Sequence, residues 1–405
     1  MEARTGAGVH AEAPGPAAAA QTSLKGRDIV CVGFSDWHTD LLTNQQHLLV
    51  RAAHENRILF VESLGLRRPQ LASRDVTRIG RRLRSALHPL REVDGLHVLS
   101  PLVLPLHSNE LLRSVNAMLL RRFVMRAVTE LQLRDPLLWS FVPQAEALID
   151  VLSPSQTLYY IDDDHAAKAG IDADSFLAAE ARFARRADAV LASAPELVTR
   201  MRTLNSNVHY APNVADTRLF ATALEPGPVD PAIAALPEPR IVFVGAIVAV
   251  KIDIPLVTEL ARLKPDWTFA FVGPVGPGDP RTDVHGLTGL PNVRMLGYRP
   301  YEQLPSVLRG ADAAIVPYHL DGEMRSVFPM KIYEYLAAGR PVVATPLDTL
   351  VDTPDVLKAA TAQEFAARVQ DAIEHDTPAA RRERSQRAQS HSWESRLDQI
   401  AEALG

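Results

Sequence analysis

The sequence predicts an α/β protein built from two Rossmann-like, doubly wound domains that face a central cleft. Two observations support this fold class. Short apolar runs of strand length alternate with longer helical stretches, which is typical of parallel sheets covered by helices. The alternation stops at residues 226–239, where five prolines crowd together, and then restarts. We therefore predict domains at residues 25–220 and 221–390, a disordered tail at 1–24, and a helix at 391–405 that packs back on the first domain.

The individual elements follow from the length and spacing of the apolar runs. Ligands of doubly wound sheets bind beyond the carboxyl ends of the strands, so two facing sheets would place one ligand on each side of the cleft. The predicted strands of the first domain are residues 28–33, 57–62, 97–99, 137–139, 158–161, 189–192 and 208–210, with helices at 48–53, 109–133 and 174–186. The predicted strands of the second are 240–245, 268–273, 293–297, 313–317 and 341–345, with helices at 254–263, 303–309, 330–338, 362–375 and 393–404.

Composition and charge exclude several classes of function. Apolar residues make up 47% of the 405 residues and charged residues 22%, an ordinary balance for a globular protein. The net charge of −5 argues against nucleic acid as a partner, because phosphate binding needs a basic face. The single Cys31 allows no internal disulfide, and the sequence has neither an apolar run of membrane-spanning length nor the pattern of a signal peptide. We therefore expect a cytoplasmic protein.

A candidate anion site lies at the start of the helix predicted at residues 330–338. Pro329 suits the first turn of a helix, whose free N–H groups and dipole favour an anion, and Lys331 adds a cation. Glu334 lies one turn into the helix, where its carboxylate could accept hydrogen bonds from vicinal hydroxyls such as those of a ribose. Gly339 then ends the helix. The alternative interpretation is a plain amphipathic helix with a solvated glutamate.

Residues 328–345, FPMKIYEYLAAGRPVVAT, resemble the C-terminal signature of GT-B glycosyltransferases of the family 4 type, also called glycosyl transferases group 1. The similarity is to the branch that contains teichuronic acid biosynthesis glycosyltransferases, and it implies a GT-B fold and a nucleotide diphosphate sugar as donor. In that family two glutamates eight positions apart contact the donor. The second holds the ribose and matches Glu334, whereas the first touches the sugar and is replaced here by Ser326. Glu323 is an alternative contact in the same loop.

The resemblance also implies where the rest of the donor binds. The turn after the strand at 240–245 matches the family's diphosphate-binding turn, and a cation there, Lys251, would stabilise the charge on a leaving diphosphate. The strand at 293–297 leads to the segment that binds the nucleobase in the family. The predicted donor-binding residues are Gly245, Lys251, Tyr298, Arg299, Ser326, Phe328, Met330, Lys331 and Glu334.

Three consecutive aspartates, Asp162, Asp163 and Asp164, directly follow a predicted strand of the first domain and are the candidate catalytic residues. Like charges at this spacing raise one another's pKa, which suits a general acid or base. The resemblance places Asp162 or Asp163 where many family members have a histidine near the sugar. The alternatives are a helix N-cap and an Asp-X-Asp metal site of the GT-A class. We expect no metal, because the rest of the chain resembles GT-B enzymes, which require none. A polar stretch at 36–47 is expected to line the same cleft.

The function predicted from these features is transfer of a sugar from a UDP- or GDP-linked donor to a hydroxyl acceptor, with no cofactor required. The acceptor would be a saccharide, a lipid-linked saccharide or a natural product, and the resemblance implies retention of anomeric configuration. One alternative is a nucleotide-sugar epimerase on the same two-domain plan. Another is a non-catalytic nucleotide-sugar-binding protein, suggested by Ser326. An NAD enzyme or a P-loop NTPase is disfavoured, because neither glycine-rich motif occurs.

A basic segment at residues 67–91 holds eight arginines in an otherwise acidic protein. Such segments attract anionic membrane surfaces and lipid-linked phosphates. We therefore predict peripheral contact with the cytoplasmic face of a membrane through this segment. The alternative is an ordinary solvated helical face.

Overall fold

The computed structural model describes residues 24–38, 43–62, 90–101, 110–168, 170–277, 279, 281–320, 324, 326–351 and 353–405. The arginine-rich segment up to residue 89, Glu323 and all but the last residue of the predicted tail therefore lie outside the described residues.

The first sheet has eight strands within the described residues, in the order β3-β4-β2-β1-β5-β6-β7-β8. Residues that alternate along β1 are buried on opposite faces, Ile29 and Cys31 on one and Val30 and Val32 on the other, because helices cover both sides of the sheet. The strands are β1 (Asp28–Val32), β2 (Arg57–Val61), β3 (Leu90–Val93), β4 (Leu96–Leu99), β5 (Leu137–Ser140), β6 (Gln156–Ile161), β7 (Ala189–Ala192) and β8 (Val208–Tyr210). The helices are α1 (Asn44–Ala53), α2 (Glu110–Glu130), α3 (Glu146–Leu152), α4 (Ala173–Arg186), α5 (Pro195–Arg202) and α6 (Thr217–Ala221).

The edge of the first sheet departs from the predicted parallel arrangement. Strands β3 and β4 form an antiparallel hairpin, whereas the other neighbours in this sheet pair in parallel. The hairpin turns at Asp94 and Gly95, both of which have positive φ, 52° and 78°. The sequence predicted only the second of these strands. Strand β3, with the sequence LREV, is half exposed at the edge and carries two charged residues, so it lacks the apolar run of a buried strand.

The second sheet has six parallel strands in the order β11-β10-β9-β12-β13-β14. Counted within this domain the order is 3-2-1-4-5-6, the doubly wound order in which ligands bind where the order reverses, here between β9 and β12. The strands are β9 (Arg240–Val244), β10 (Thr268–Val272), β11 (Val293–Gly297), β12 (Ala313–Val316), β13 (Val342–Ala344) and β14 (Val356–Lys358). The helices are α7 (Pro231–Ala234), α8 (Ile254–Leu263), α9 (His285–Thr288), α10 (Leu304–Arg309), α11 (Lys331–Ala337), α12 (Ala362–Glu374), α13 (Pro378–Ala388) and α14 (Trp393–Leu404).

The chain crosses between the two sheets twice, after β8 and after α13, and the two crossings touch. The backbone N–H of Ala215 donates to the carbonyl of His391 at 3.1 Å. Helix α14 then packs against α1 and β7 of the first domain, with Trp393 fully buried there. None of the described helices is both long enough and apolar enough to cross a bilayer. The residue numbers predicted for the domain boundaries stay a prediction.

Candidate functional site

Two glycines shape the end of β9, where the strand order of the second sheet reverses. Gly245 has φ +136°, and a Cβ built on it would lie 3.1 Å from Cε and 3.2 Å from Nζ of Lys331. A Cβ on Gly273, at the end of β10, would lie 2.0 Å from the carbonyl oxygen of Gly245. Only glycine therefore allows the two backbone turns to pack together and the Lys331 ammonium to lie against them.

Helix α11 brings Lys331 to this point. The Tyr335 hydroxyl accepts from the N–H of Val244 at 2.7 Å and donates to the carbonyl of the same residue at 3.2 Å, which fixes the helix to the end of β9. Lys331 Nζ donates to the Tyr318 hydroxyl at 2.7 Å and lies 5.3 Å from the centre of the Phe243 ring. Burial alone would raise the pKa of Tyr318, but Lys331 and Lys251 outweigh it, so the pKa lies below its usual value. Both lysines therefore act on one phenol at the mouth of the second sheet.

Glu334 lies one turn further along α11 and is 7% exposed. Its carboxylate accepts a hydrogen bond from the Tyr301 hydroxyl at 3.1 Å. Burial raises the pKa of Glu334 above its usual value, although Lys331 and the Tyr301 hydrogen bond act in the opposite direction. A buried carboxylate with one such donor retains lone pairs for further hydroxyl donors.

The remaining residues of the predicted signature occupy the scaffold around the helix start. The Phe328 ring is fully buried and stacks on Tyr333 at 5.1 Å, and the carbonyl of Phe328 accepts from the Asn213 amide at 2.7 Å. Met330 packs against the core of the first domain, and Ser326 is buried in the preceding loop. This placement favours a structural contribution from the side chains of Phe328 and Met330.

The two residues predicted beside the nucleobase lie after β11. Tyr298 is 54% exposed and follows Gly297, which has φ +73°. Arg299 forms an ion pair with Asp230 at 2.8 Å and donates to the carbonyls of Leu296 and Tyr298. The guanidinium of Arg299 is thus occupied in holding the loop, and Tyr298 has the freer side chain of the two.

The aspartates follow β6 on the opposite side of the cleft and form a network with two residues that the sequence did not single out. Asp162 lies 3.2 Å from Nε2 of the buried His165, and Asp163 pairs with Lys168 at 2.7 Å. Lys168 Nζ also lies 3.1 Å from His165 Nδ1. The imidazole of His165 is thus held between the Asp162 carboxylate and the Lys168 ammonium.

Asp163 has the opposite titration behaviour from the one expected. The sequence predicted that three adjacent aspartates raise one another's pKa. Burial does raise the pKa of Asp163, but Lys168, His165 and Lys251 outweigh it, so the pKa lies below its usual value. Lys251 belongs to the second domain, in the turn after β9. Its charge acts on a carboxylate of the first domain, so the two halves of the site face each other here.

Asp164 contacts other groups than Asp162 and Asp163 do. It caps the short 3₁₀ turn His165–Ala167 by accepting from the N–H of Ala166 at 3.2 Å, and it lies 3.5 Å from Arg200. The N-cap alternative therefore describes Asp164 better than a catalytic role does.

Tyr301, Tyr318, His165 and Lys168 were missed as site residues by the sequence reasoning. Each becomes visible only through a partner that folding brings to it, and the one local signal was that His165 follows the aspartates directly. Among the described residues, no group of three His, Cys, Asp or Glu side chains is placed to hold a metal ion.

Comparison with known proteins relates the second half of the chain to a known family. Residues 238–375 match the family described as Glycosyl transferases group 1. Part of the chain is also 33% identical over 174 residues to the putative teichuronic acid biosynthesis glycosyltransferase TuaH of Bacillus subtilis (strain 168). That match covers 42% of this chain and 43% of the relative, so the chain spans less than half of the relative's length.

The whole chain shares its two-domain fold with solved structures. Sucrose-phosphate synthase from Thermosynechococcus elongatus matches 93% of this chain and 98% of its own, with a TM-score of 0.65 and 16% identity. Anabaena Alr3699/HepE in complex with UDP and glucose matches 93% of this chain and 98% of its own, with a TM-score of 0.63 and 16% identity. The GT-B fold is thereby confirmed, as is the resemblance to group 1 glycosyltransferases. The segment that matches this family contains Gly245, Lys251, Lys331 and Glu334, whereas the aspartates lie in the first domain.

Proposed function

We propose that this protein is a glycosyltransferase that moves a sugar from a nucleoside diphosphate sugar to a hydroxyl acceptor. One observation carries the proposal. Two lysines and a buried glutamate lie near the end of β9 in the second domain, and Asp163 of the first domain lies within the electrostatic reach of one of those lysines. Cations for a diphosphate, a carboxylate for a ribose and a carboxylate for a sugar are thus distributed over the two sides of one cleft.

The donor is held by the second domain in this proposal. Vicinal ribose hydroxyls donate to the Glu334 carboxylate, and ionised acceptors form the stronger class of hydrogen bond. The ammonium groups of Lys331 and Lys251 face the diphosphate and stabilise the negative charge that grows on it as the glycosidic bond breaks. We propose uridine as the base, because structures of similar fold are described in complex with UDP, UDP-glucose and UDP-2-fluoro glucose.

The chemical step transfers the anomeric carbon between two oxygens. The bond from C1 to the diphosphate oxygen breaks, a bond from C1 to the acceptor oxygen forms, and the acceptor proton passes to the departing diphosphate oxygen on the same face. This route gives retention and uses no protein nucleophile. Asp163, ionised and held by Lys168, accepts hydrogen bonds from sugar hydroxyls, and His165 is oriented beside it by Asp162. These carboxylates position the sugar, and closure of the domains keeps water from the donor.

We propose a saccharide or lipid-linked saccharide as the acceptor, in the cytoplasm, for polysaccharide assembly. The support is the partial match to a putative teichuronic acid biosynthesis glycosyltransferase. Peripheral membrane contact through residues 67–91 stays a prediction, since nearly all of that segment lies outside the described residues.

The first test is a thermal-shift panel of UDP, GDP, ADP and their glucose conjugates on the full chain, with Glu334→Ala beside the wild type. We expect UDP-glucose to give the largest shift and Glu334→Ala to reduce nucleotide affinity by roughly tenfold or more, as loss of a charge-assisted hydrogen-bond pair does. Glu302→Ala is the matched control, because Glu302 is exposed in the turn next to Tyr301. An unchanged shift in Glu334→Ala would exclude the ribose assignment.

The second test separates transfer from its alternatives. The full chain is incubated with the best donor, with and without an oligosaccharide acceptor panel, and released nucleoside diphosphate is measured together with the configuration of the sugar. Acceptor-dependent release and a new glycoside support transfer. An isomerised sugar on intact donor identifies an epimerase, and tight donor binding without release across the panel identifies a binding protein.

A further inference from the structure

A second cavity, of about 290 Å³, lies at the joint between the two domains. Its walls come from the end of β8 and the segment after it, from the loop before α11, from the loop after β13, and from the start of α14. Tyr210 and Pro212 belong to the first of these, Phe328 to the second, Thr349 to the third and Arg396 to the fourth. Neither of the lysines assigned to the diphosphate lines it, and neither does Glu334.

Arg396 places a buried positive charge in the wall of this cavity. The residue is 4% exposed, yet no carboxylate among the described residues lies within ion-pairing distance of its guanidinium. Its terminal nitrogens donate to the Tyr160 hydroxyl, at 3.3 Å, and to the carbonyl of Pro212, while Nε has no hydrogen-bond partner. A guanidinium stays charged at any physiological pH, and a buried charge without an opposite charge is costly. The joint therefore holds a cation that lacks its anion.

The other groups around Arg396 suit an anion. None of the described residues that line the cavity is acidic. His391, which also lines it, stacks on Tyr333 at 3.9 Å, and Asp355, the acid that acts on His391, is itself paired with Arg387 at 2.6 Å. The lining thus offers the positive charge of Arg396 and, among the described residues, no competing carboxylate.

We propose that this joint cavity is a binding site for a small phosphate- or carboxylate-bearing molecule, with Arg396 as its charge partner. A cavity of about 290 Å³ is at the lower limit of small-molecule sites, which fits a small anionic metabolite better than a nucleotide sugar. The aromatic rings of Phe328 and Tyr333 form an apolar wall for the remainder of such a molecule.

The joint cavity is connected to both halves of the candidate site. Tyr333 in its wall directly precedes Glu334 on α11, and Tyr160, which Arg396 contacts, lies on β6 two residues before Asp162. A bound anion would therefore touch α11 directly and reach β6 through Arg396. If the anion changes the affinity for the donor, the donor changes the affinity for the anion by the same factor.

The test uses inorganic phosphate and malonate as probes on the full chain, read by thermal shift and calorimetry. Because phosphate can also occupy the diphosphate position, each titration is repeated on Lys251→Ala. We expect the phosphate-dependent stabilisation to persist in Lys251→Ala and the apparent Kd for phosphate to rise roughly tenfold or more in Arg396→Gln. Loss of the effect in Lys251→Ala with retention in Arg396→Gln would assign phosphate to the donor site and overturn the proposal.

A second pair of variants tests the proposal independently, in case Arg396→Gln does not fold. Ser390 lines the rim and is exposed, so Ser390→Glu adds a tethered carboxylate beside the cavity without disturbing the core. We expect Ser390→Glu to abolish the response to both probes and the isosteric Ser390→Gln to retain it. Equal responses in this pair, or no stabilisation of the wild type by either probe at tens of millimolar, would overturn the proposal. Donor binding by the wild type is measured in parallel, so failure here is distinguishable from failure of the proposed function.

Discussion

Neighbouring carboxylates in this protein have different roles, as Asp163 and Asp164 illustrate. Asp163 pairs with Lys168 and feels the charge of Lys251 across the cleft, so it stays ionised at neutral pH. Asp164 caps a turn and approaches Arg200. One faces the other domain and one belongs to the scaffold, and the sequence, which places them side by side, does not distinguish them.

Asp163→Asn is expected to lower kcat by roughly tenfold to a hundredfold, because an amide replaces the carboxylate that accepts from sugar hydroxyls. Nucleotide affinity should change little, since the nucleotide contacts lie in the other domain. The pKa of Asp163 is depressed, so its contribution to stability is present above its unfolded value and is lost only as the pH falls through the lower folded value. Between pH 5 and 8 this group should therefore leave activity and stability flat, which a kcat–pH profile checks.

Asp164→Asn is the matched control. Asparagine also caps helical turns, so we expect a stability change of less than about 1 kcal/mol and nearly unchanged kcat. Melting curves and initial rates measured on both variants decide the matter. If the two variants lose the same activity, Asp163 has no special position in the site.

At the scale of elements, the turn after β9 shows why a short segment requires one residue type. Gly245 has a φ of +136°, and a Cβ there would press on the Lys331 side chain at 3.1–3.2 Å. Alanine would introduce both backbone strain and displacement of an ammonium that faces the diphosphate.

Gly245→Ala is expected to lower donor affinity by roughly tenfold and to destabilise the fold by about 1–3 kcal/mol. Gly286→Ala serves as control, because its φ is ordinary and nothing lies within 4 Å of the added Cβ. Donor titration by calorimetry and chemical unfolding separate the two effects. A normal donor affinity in Gly245→Ala would mean that Lys331 does not need its present position.

The elements that could be predicted from the sequence are those whose apolar pattern is complete within a few residues. After Arg240, strand β9 is an unbroken apolar run, and the helix predicted at 330–338 differs from α11 by one residue at each end. Helix α13, with the sequence PAARRERSQRA, was missed because it has almost no apolar face. It docks through polar contacts, such as the Ser385 hydroxyl that donates to the carbonyl of Ala337. The same limit applies to the site. Glu334 lies in a local sequence motif and could be predicted from it, whereas Tyr301 and Tyr318 are recognised only by their contacts with residues distant in sequence.

At the scale of the whole molecule, a row of aromatic rings connects the two domains. Trp393 of α14 stacks on His47 of α1 with centres 5.0 Å apart, His47 lies 5.1 Å from Tyr301, and Tyr301 donates to Glu334. The first and second domains and the final helix thus meet around one imidazole. The row ends at the carboxylate proposed to hold the ribose, so the packing of the joint and the geometry of the donor site are physically continuous.

His47 makes this joint sensitive to acid. Burial, helped by Arg51 and opposed by Asp216, lowers the pKa of His47 from 6.5 to about 4. Between these two values His47 is protonated in the unfolded chain but not in the folded protein. The free energy of unfolding therefore falls as the pH drops from about 6.5 towards about 4, by up to about 1.4 kcal/mol per pH unit.

His47→Phe keeps an aromatic ring between Trp393 and Tyr301 but cannot titrate. We expect chemical unfolding at pH 7, 6 and 5 to give a shallower loss of stability in this variant than in the wild type. His54→Gln, at an exposed position, should retain the wild-type slope. Equal slopes in the wild type and His47→Phe would show that protonation of His47 does not govern the acid stability of the joint.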